Sequence, residues 1–348
     1  MSNEHSGSRQ DTSVSVGSLV AVVVTYNRLA KLKVTLARLL DADPVHLKKI
    51  VVVDNHSTDD TTAWLQVQSD PRLDVIELER NIGGAGGFEI GMREAVLRHD
   101  PDWLLVMDDD ARPEPDTLAL FHASNPQVDG VAAAVYLPSG EICGMNAPSN
   151  NPFWHWRDFL RTALRGRKGF HVGPDAYQGP ARQVDVASFV GLFLSRRAVD
   201  LIGYPDPDFF IYTDDTLYTL ELTAAGGQIM FDPALRFEHD MGTFGGAADG
   251  RQFTPIWKVY YYHRNLLMLY RRVAGWFFWV LLPLVLTKWV LRVFNHLGQK
   301  RLFLGLLRRA IWDGLRGRIS VDHDQVLAWA AAGGDATKQK PELSSRKV

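Results

Sequence analysis

Trp103-Leu104-Leu105-Val106-Met107-Asp108-Asp109-Asp110-Ala111-Arg112-Pro113 joins an apolar run directly to three consecutive carboxylates. The run 103–107 reads as a buried strand. Carboxylates at the end of such a strand have to be paired, hydrogen-bonded or bound to a metal. Hard cations such as Mg²⁺ and Mn²⁺ take oxygen ligands and usually meet a protein together with a substrate diphosphate. The stretch is therefore a candidate metal–nucleotide site where a strand meets a loop. The competing reading is an acidic turn, with Asp116 capping a helix that begins near Thr117.

Upstream, a strand–helix rhythm repeats. Leu19–Thr25 is a valine-rich run that ends in Tyr26-Asn27-Arg28 and reads as a buried strand feeding a polar loop. Leu29–Leu40 carries leucines at helical spacing. Residues 50–53 form a second strand closed by Asp54-Asn55. Ser57-Thr58-Asp59-Asp60 has the composition of an N-cap for a helix running to about Gln68. Residues 75–78 read as a third strand, 81–87 as a loop, 88–97 as a helix and 103–107 as the fourth strand. This alternation predicts an α/β fold with a mostly parallel central sheet covered on both faces. Ligands of such sheets sit at the carboxyl ends of the strands, so Thr25, Asn27, Asp54 and the 108–110 carboxylates are expected to share one crevice. Beyond the apolar run 131–137 the pattern turns irregular. Residues 148–183, rich in Pro, Gly and aromatics, read as a loop region on the acceptor side. Residues 186–194 are apolar again. Asp214-Asp215 open a helical run to Ala225, and 229–231 and 235–239 read as two short extended runs.

The 348 residues suggest two domains, or one α/β domain with an appendage. A net charge of −2 gives no reason to expect nucleic acid, and the lone cysteine, Cys143, rules out an internal disulfide. Residues 1–17 are polar, lack a signal-peptide pattern and read as a disordered lead-in; residues 18–250 form the main domain, and 319–348 a polar tail. Between them, 251–318 differs from the rest. Residues 256–318 carry twelve Lys or Arg against the single acid Asp313, around the aromatic-rich run that starts at Trp276. The run 276–291 has 16 residues and is interrupted by Pro283 and Lys288, short of the roughly 20 apolar residues of a spanning helix. It is expected to be helical and to lie on an anionic membrane surface, with aromatics at headgroup depth and Lys/Arg on the lipid phosphates.

Other constellations carry chemistry. Residues 83–87 hold four glycines and run into a helix, whose start offers free amides to an anion; a packing-driven turn is the alternative. Asp54 can accept from a base imide or a ribose hydroxyl, or simply cap a turn. Thr25 and Asn27 suit a uracil edge or an ordinary turn. Asp214 and Asp215, after Phe209-Phe210-Ile211-Tyr212, suit a carboxylate pair with one general base, or acidic residues placed by the helix dipole. His239 is a third metal-ligand candidate beside the carboxylates.

In order and spacing, Val22 to Arg28, the strand end at Asp54, the 108–110 carboxylates, Asp214-Asp215 and His239 resemble the inverting family 2 glycosyltransferases of the GT-A fold, over residues 19–243. The stretch Arg80-Asn81-Ile82-Gly83-Gly84-Ala85-Gly86-Gly87-Phe88 looks like the bacterial galactofuranosyltransferases, in particular the type that initiates galactan on a polyprenyl-diphosphate acceptor. Thr213-Asp214-Asp215 departs from the Trp-Asp-Asp of the polymerising type. The resemblance implies a GT-A nucleotide-sugar-binding domain followed by a helical C-terminal region, a UDP-sugar donor, best read as UDP-galactofuranose, and Mn²⁺ or Mg²⁺. It assigns metal binding to Asp108, Asp110 and His239, and the donor pocket to Thr25, Asn27, Asp54, Asn81, Gly83, Gly84 and Asp109. Asp215 becomes the catalytic base, with Asp214 beside it. Together with the basic C-terminal segment, this implies a peripheral enzyme at the cytoplasmic face of the plasma membrane. Rhamnose or another hexose is the alternative sugar. A nucleotidyltransferase is the alternative enzyme class, but 20–28 lacks the glycines of its usual N-terminal signature. A non-catalytic membrane scaffold leaves two acidic constellations unexplained.

Overall fold

The computed structural model describes residues 17–241 and 252–332. The lead-in before Gly17, the boundary near Gly250 and the tail past Ala332 lie outside the described residues. The first half runs β1 (Leu19–Thr25), α1 (Leu29–Leu40), β2 (Lys49–Asp54), α2 (Thr61–Gln66), β3 (Leu73–Glu77), α3 (Gly83–His99) and β4 (Trp103–Asp108). It continues through β5 (Ala111–Pro113), α4 (Thr117–Ser124), β6 (Gly130–Tyr136), α5 (Trp156–Arg165), β7 (Arg182–Val184), β8 (Leu192–Ser195), α6 (Arg196–Ile202), α7 (Asp214–Ala224) and β9 (Ile229–His239). Four helices close the described chain: α8 (Lys258–Ala274), α9 (Phe277–Leu291), α10 (Lys300–Arg316) and α11 (His323–Ala332).

The strands form one sheet in the order β3-β2-β1-β4-β8-β6-β9-β5, with β7 also on β9. β3, β2, β1 and β4 are mutually parallel, as are β6 and β9, while β8 runs antiparallel between β4 and β6. The fold is thus the expected α/β type with a mostly parallel centre. Successive side chains of β1 point to opposite faces, and both faces are buried. Leu19, Ala21 and Val23 enter one core with Leu32, Leu36 and Leu39 of α1. Val20, Val22 and Val24 enter the other with Phe88, Met92 and Ala95 of α3. A strand buried on both faces cannot alternate polar and apolar residues, which is why these strands read as continuous apolar runs.

Several local expectations are corrected. The glycine stretch 83–87 is not a loop but the first turns of α3, because the helix must lie almost on β1. A Cβ on Gly87 would stand 2.6 Å from Val24 Cγ1, and one on Gly91 2.6 Å from Val22 Cγ1. Ser57 does not cap α2, which starts at Thr61; its hydroxyl instead accepts from the Asn27 amide at 3.0 Å. Asp116 precedes α4 in a left-handed conformation (φ 63°) and makes no side-chain cap. The two extended runs at 229–231 and 235–239 are one strand, β9, whose pairing with β6 slips between Ala133 and Ala134, where Pro233 falls in the bulge. The loop region 148–183 contains a helix, α5, and the tail expected from 319 begins with another, α11.

The C-terminal helices have their own core, in which Val259, Tyr260 and Tyr261 of α8 meet Phe303, Leu306 and Ala310 of α10 and Val326 of α11. Of the twelve basic residues, Arg264 is fully buried here. α9 continues in a 3₁₀ turn, so that 19 residues, Phe277–Asn295, are helical; an 18-residue stretch of them has mean hydropathy 1.8 and is mostly not buried. By length and composition this stretch can cross a bilayer; the shorter span read from sequence stopped at Leu291 because Arg292 broke the apolar run.

Two substitutions separate close packing from helix propensity. Gly91→Ala gains about 1 kcal/mol of propensity, but its methyl meets Val22 and also Val53 Cγ2 at 2.9 Å, and overpacking costs about 1–3 kcal/mol. The expected net is a loss on the order of 1 kcal/mol in urea unfolding. Gly84→Ala meets nothing within 4 Å and is expected to be neutral or stabilising by up to about 1 kcal/mol; equal behaviour of the two variants contradicts the packing account.

Candidate functional site

The carboxyl end of β4 delivers its three carboxylates into different surroundings. Asp109 is buried and occupied by protein: Thr25 donates to Oδ2 at 2.7 Å and Arg28 to Oδ1 at 3.3 Å. Burial pushes its pKa up to about 6, against the pull of Arg28 and Thr25. The Thr35 hydroxyl secures the turn from below by donating to the carbonyls of Asp109 and Ala111. Asp110, also buried, receives Arg28 at 2.8 Å on Oδ2 and His239 Nε2 at 3.1 Å on Oδ1. Asp108 is partly exposed, and burial, then Asp110, push it up to about 7.

His239 arrives at the end of β9, brought beside the β4–β5 turn by the pairing of His239 with Ala111. Its ring is aimed: Nδ1 donates to Asn146 Oδ1 at 2.8 Å, and Asn146 Nδ2 donates to Ser188 Oγ at 3.0 Å. This is the outer support that metal-ligating histidines use. Ligand atoms of Asp108, Asp110 and His239 lie within 4.8 Å of one another. Two carboxylates and an oriented imidazole fit a hard or borderline divalent cation such as Mn²⁺ or Mg²⁺. Burial opposes charge on Asp110, yet the His239 hydrogen bond and field hold its pKa below the ordinary value. Burial likewise opposes charge on His239, but Asp110, with help from Asp108, prevails and pushes it up to about 10.

The donor-pocket candidates lie around the neighbouring strand ends. Asp54 is buried, and both its oxygens are taken, by the Ser57 amide at 2.9 Å and the Thr62 hydroxyl at 2.5 Å. Asn27 (φ 54°) accepts the Thr58 amide at 2.6 Å. Asp54 thus ties the β2–α2 loop to the start of α2, and Asn27 locks the β1–α1 loop to it. At the start of α3 the amides are partly spent as well: Gly83 donates to Asn81 Oδ1 at 2.8 Å and Ala85 to the Phe210 carbonyl at 3.1 Å. Beside them opens a groove of 820 Å³, lined by Tyr26, His56, Arg80, Asn81, Phe210 and His323 among others.

Asp214 and Asp215 form the first turn of α7, behind a strained approach. Phe210, Tyr212 and Thr213 all have positive φ (64°, 71° and 65°), a conformation costing on the order of 1–3 kcal/mol for each such residue. α8 holds it in place. Asn265 Nδ2 donates to the carbonyls of Phe209, Ile211 and Tyr212 at 2.8–3.0 Å. Arg264 donates to the carbonyls of Asp208, Phe209 and Ile319 and fixes Asn265 through Nε. Gly83 completes the clamp, since a Cβ there would stand 2.1 Å from the Phe210 carbonyl oxygen. Burial, then Asp215, raise the Asp214 pKa well above the carboxylate range, and Asp108 adds to the effect. Burial also raises Asp215, but the amide and hydroxyl of Thr216 and the Phe189 amide stabilise its anion. Both carboxylates of this coupled pair are raised, and Asp215 is the one whose anion receives local donors.

Arg28, Asn146 and Asn265 were not assigned roles from sequence. Arg28 lay inside a quoted motif; Asn146 sits in an irregular region, and Asn265 in a segment dominated by its basic and aromatic neighbours.

Residues 20–182 match the family model described as Glycosyl transferase family 2. The chain is 30% identical to the galactofuranosyltransferase GlfT1 of Mycolicibacterium smegmatis over 213 residues, 59% of this chain and 65% of that protein. It is 29% identical to the undecaprenyl-phosphate mannosyltransferase of Micrococcus luteus, over 64% of this chain and 85% of that protein. Its fold is like that of the mannosyltransferase PcManGT from Pyrobaculum calidifontis, solved with GDP-Man and Mn²⁺, at TM-score 0.50 and 16% identity over 94% of this chain and 83% of that one.

The triad generates a proton-linkage test. His239 is pushed up to about 10 and Asp108 to about 7; a ligating imidazole is neutral and a ligating carboxylate ionised. Mn²⁺ binding at pH 7 is expected to release about one proton or more. Affinity should rise with pH, steeply through 7 and on toward 10. Calorimetry in buffers of different ionisation enthalpy measures the release, and Asp110→Ala should abolish the binding. Proton-neutral binding, or Mn²⁺ held equally by Asp110→Ala, contradicts the assignment.

Proposed function

Because residues 20–182 belong to glycosyl transferase family 2, we propose that the chain is an inverting glycosyltransferase moving galactofuranose from UDP-galactofuranose to a polyprenyl-diphosphate-linked glycan in cell-envelope galactan synthesis. The observation that carries the reading is a metal-competent triad with a carboxylate pair nearby, close enough for Asp108 to act on Asp214. The likeness to a galactofuranosyltransferase supports the choice of sugar. A second reading, transfer of another hexose such as mannose or rhamnose, draws on the likeness to the undecaprenyl-phosphate mannosyltransferase, whose length is covered more fully.

Asp108, Asp110 and His239 would hold Mn²⁺ or Mg²⁺, which when bound would supply positive charge against the diphosphate of the leaving UDP. Arg28, already on Asp109 and Asp110, supplies a fixed positive charge beside the diphosphate. Thr25, Asn27, Asp54, Asn81, Gly83, Gly84 and Asp109 shape the donor end, several of them by locking its loops rather than by touching the nucleotide. Asp215 takes the proton of the acceptor hydroxyl, with Asp214 beside it retaining its own. The hydroxyl oxygen attacks the anomeric carbon from the face opposite UDP. The bond to the diphosphate oxygen breaks with its electron pair, and the anomeric configuration inverts.

The enzyme works as a peripheral protein at the cytoplasmic face of the plasma membrane. Support comes from exposed Trp276, Trp279, Leu284 and Trp312 standing among exposed Arg271, Arg272, Lys288 and Arg308. This is the composition of helices that lie in an anionic interface, where each basic residue contributes about 1 kcal/mol.

Asp215→Asn is expected to keep UDP-sugar binding while losing transfer by on the order of 10²–10⁴-fold. Product mass spectrometry over a panel of nucleotide sugars identifies the donor. Turnover of UDP-glucose without UDP-galactofuranose would overturn the sugar, and release of UDP by no donor would overturn the activity.

In flotation with phosphatidylglycerol vesicles the full chain is expected to rise, and Trp276→Ser/Trp279→Ser/Leu284→Ser to rise markedly less. A triple variant that floats like the parent removes α9 as the anchor.

A further inference from the structure

A cavity of 290 Å³ lies between α8, α9 and residues 149–170. Phe153, Phe170, Leu269, Val273, Phe278 and Leu282 supply most of its wall, and no charged side chain lines it. Thr216 is part of the wall, and its amide and hydroxyl hold the Asp215 carboxylate. Leu281, on the exposed side of α9, is part of the same wall.

α5 contributes Thr162 to the wall. Trp156, Phe159, Leu160 and Leu164 are exposed on it, while Arg157, Arg161 and Arg165 recur at intervals of one helical turn. An apolar face of Trp, Phe and Leu beside a line of arginines is the pattern of an interfacial helix. α5 is also joined to α9: Phe277 meets Phe153 and Phe159 with ring centroids 5.9 and 6.1 Å apart. The exposed faces of α5 and α9 therefore adjoin, and both helices contribute to the cavity wall.

We propose that this cavity receives the diphosphate-proximal part of the acceptor's isoprenoid chain, and that α5 and α9 form the lip through which the chain passes from the bilayer. The inference rests on the glycosyl-transfer reading for its ligand. A carbon-lined cavity gives a sugar or a nucleotide no polar partner, whereas a hydrocarbon chain needs none. A cavity walled both by α9 and by the residue that holds the proposed base matches a substrate whose tail is lipid and whose reacting end is a glycan. The volume is at the small end of ligand pockets, about 300 Å³, so the rest of the chain stays in the bilayer. Since the chain already lies in hydrocarbon, moving it into the cavity yields little hydrophobic gain. The cavity orients the acceptor rather than extracting it.

The test uses a benzophenone-bearing farnesyl diphosphate, photolysed with the full chain, and peptide mapping of the adducts. Labelling is expected on the cavity walls in residues 149–170, 269–274 and 278–285, suppressed at least fivefold by undecaprenyl diphosphate but not by equimolar phosphatidylglycerol. Ala274→Phe fills the cavity from α8 and Leu282→Trp from α9; each should cut labelling severalfold with Tm and UDP binding unchanged, and the second serves if the first does not fold. Adducts outside the cavity, undiminished labelling in the folded variants, or equal competition by phosphatidylglycerol overturn the site. Specific labelling without sugar transfer from any donor leaves the site standing and removes the enzymatic reading. Transfer that proceeds while the cavity is never labelled does the reverse.

Discussion

Three carboxylates in sequence at the end of a buried strand set the constraint that the surrounding structure meets. Each ion taken from water costs several kcal/mol unless it is paired and hydrogen-bonded. Arg28 and Thr25 from the β1 end, His239 from the β9 end and the Thr35 hydroxyl from α1 all converge on this turn. The compensation is uneven. Asp109 is consumed by protein partners, whereas Asp108 is left partly exposed and raised in pKa, and Asp110 shares a proton-bearing partner with it. That residual imbalance of negative charge is what a divalent cation relieves.

The C-terminal helices serve the same site by a different route. The turn before α7 stores backbone strain in three left-handed non-glycine residues. Donors from Asn265 and Arg264 satisfy the carbonyls that the turn leaves pointing at α8. Each net hydrogen bond contributes only about 0.5–1.5 kcal/mol, but a buried carbonyl without a donor costs about 1–3. The clamp therefore fixes where Asp214 and Asp215 stand. The helix proposed to meet lipid, α9, directly follows α8, the helix that holds this turn, so the two are carried by neighbouring elements.

Legibility in the sequence varied with the physics of each element. β1, β2 and β4 were plain because double burial leaves nothing but apolar residues in them. The start of α3 was obscured because its glycines answer a distance to β1 and to Phe210, and a distance between elements has no local signature. β9 was read as two pieces because Pro233 interrupts the pattern while the bulge lets the strand continue. α11 was hidden in a polar stretch, its fold depending on Val326 and Trp329 finding the α8–α10 core.

The same division holds for the site. Residue type and order alone determined that Asp108, Asp110, His239, Asp214 and Asp215 were the chemical candidates, because carboxylates beside apolar strands and aromatic runs are costly without a task. Tertiary structure decided which of them remain available. It spent Asp54, Asn27 and Asp109 on holding loops, left Asp108 partly open, and gave Asp215 local donors from Thr216 and Phe189. It also recruited Asn146 and Asn265 from segments that carry no motif. Hydrogen-bond partners and desolvation are set by what lies across space, and that is written only when distant strands and helices have come together.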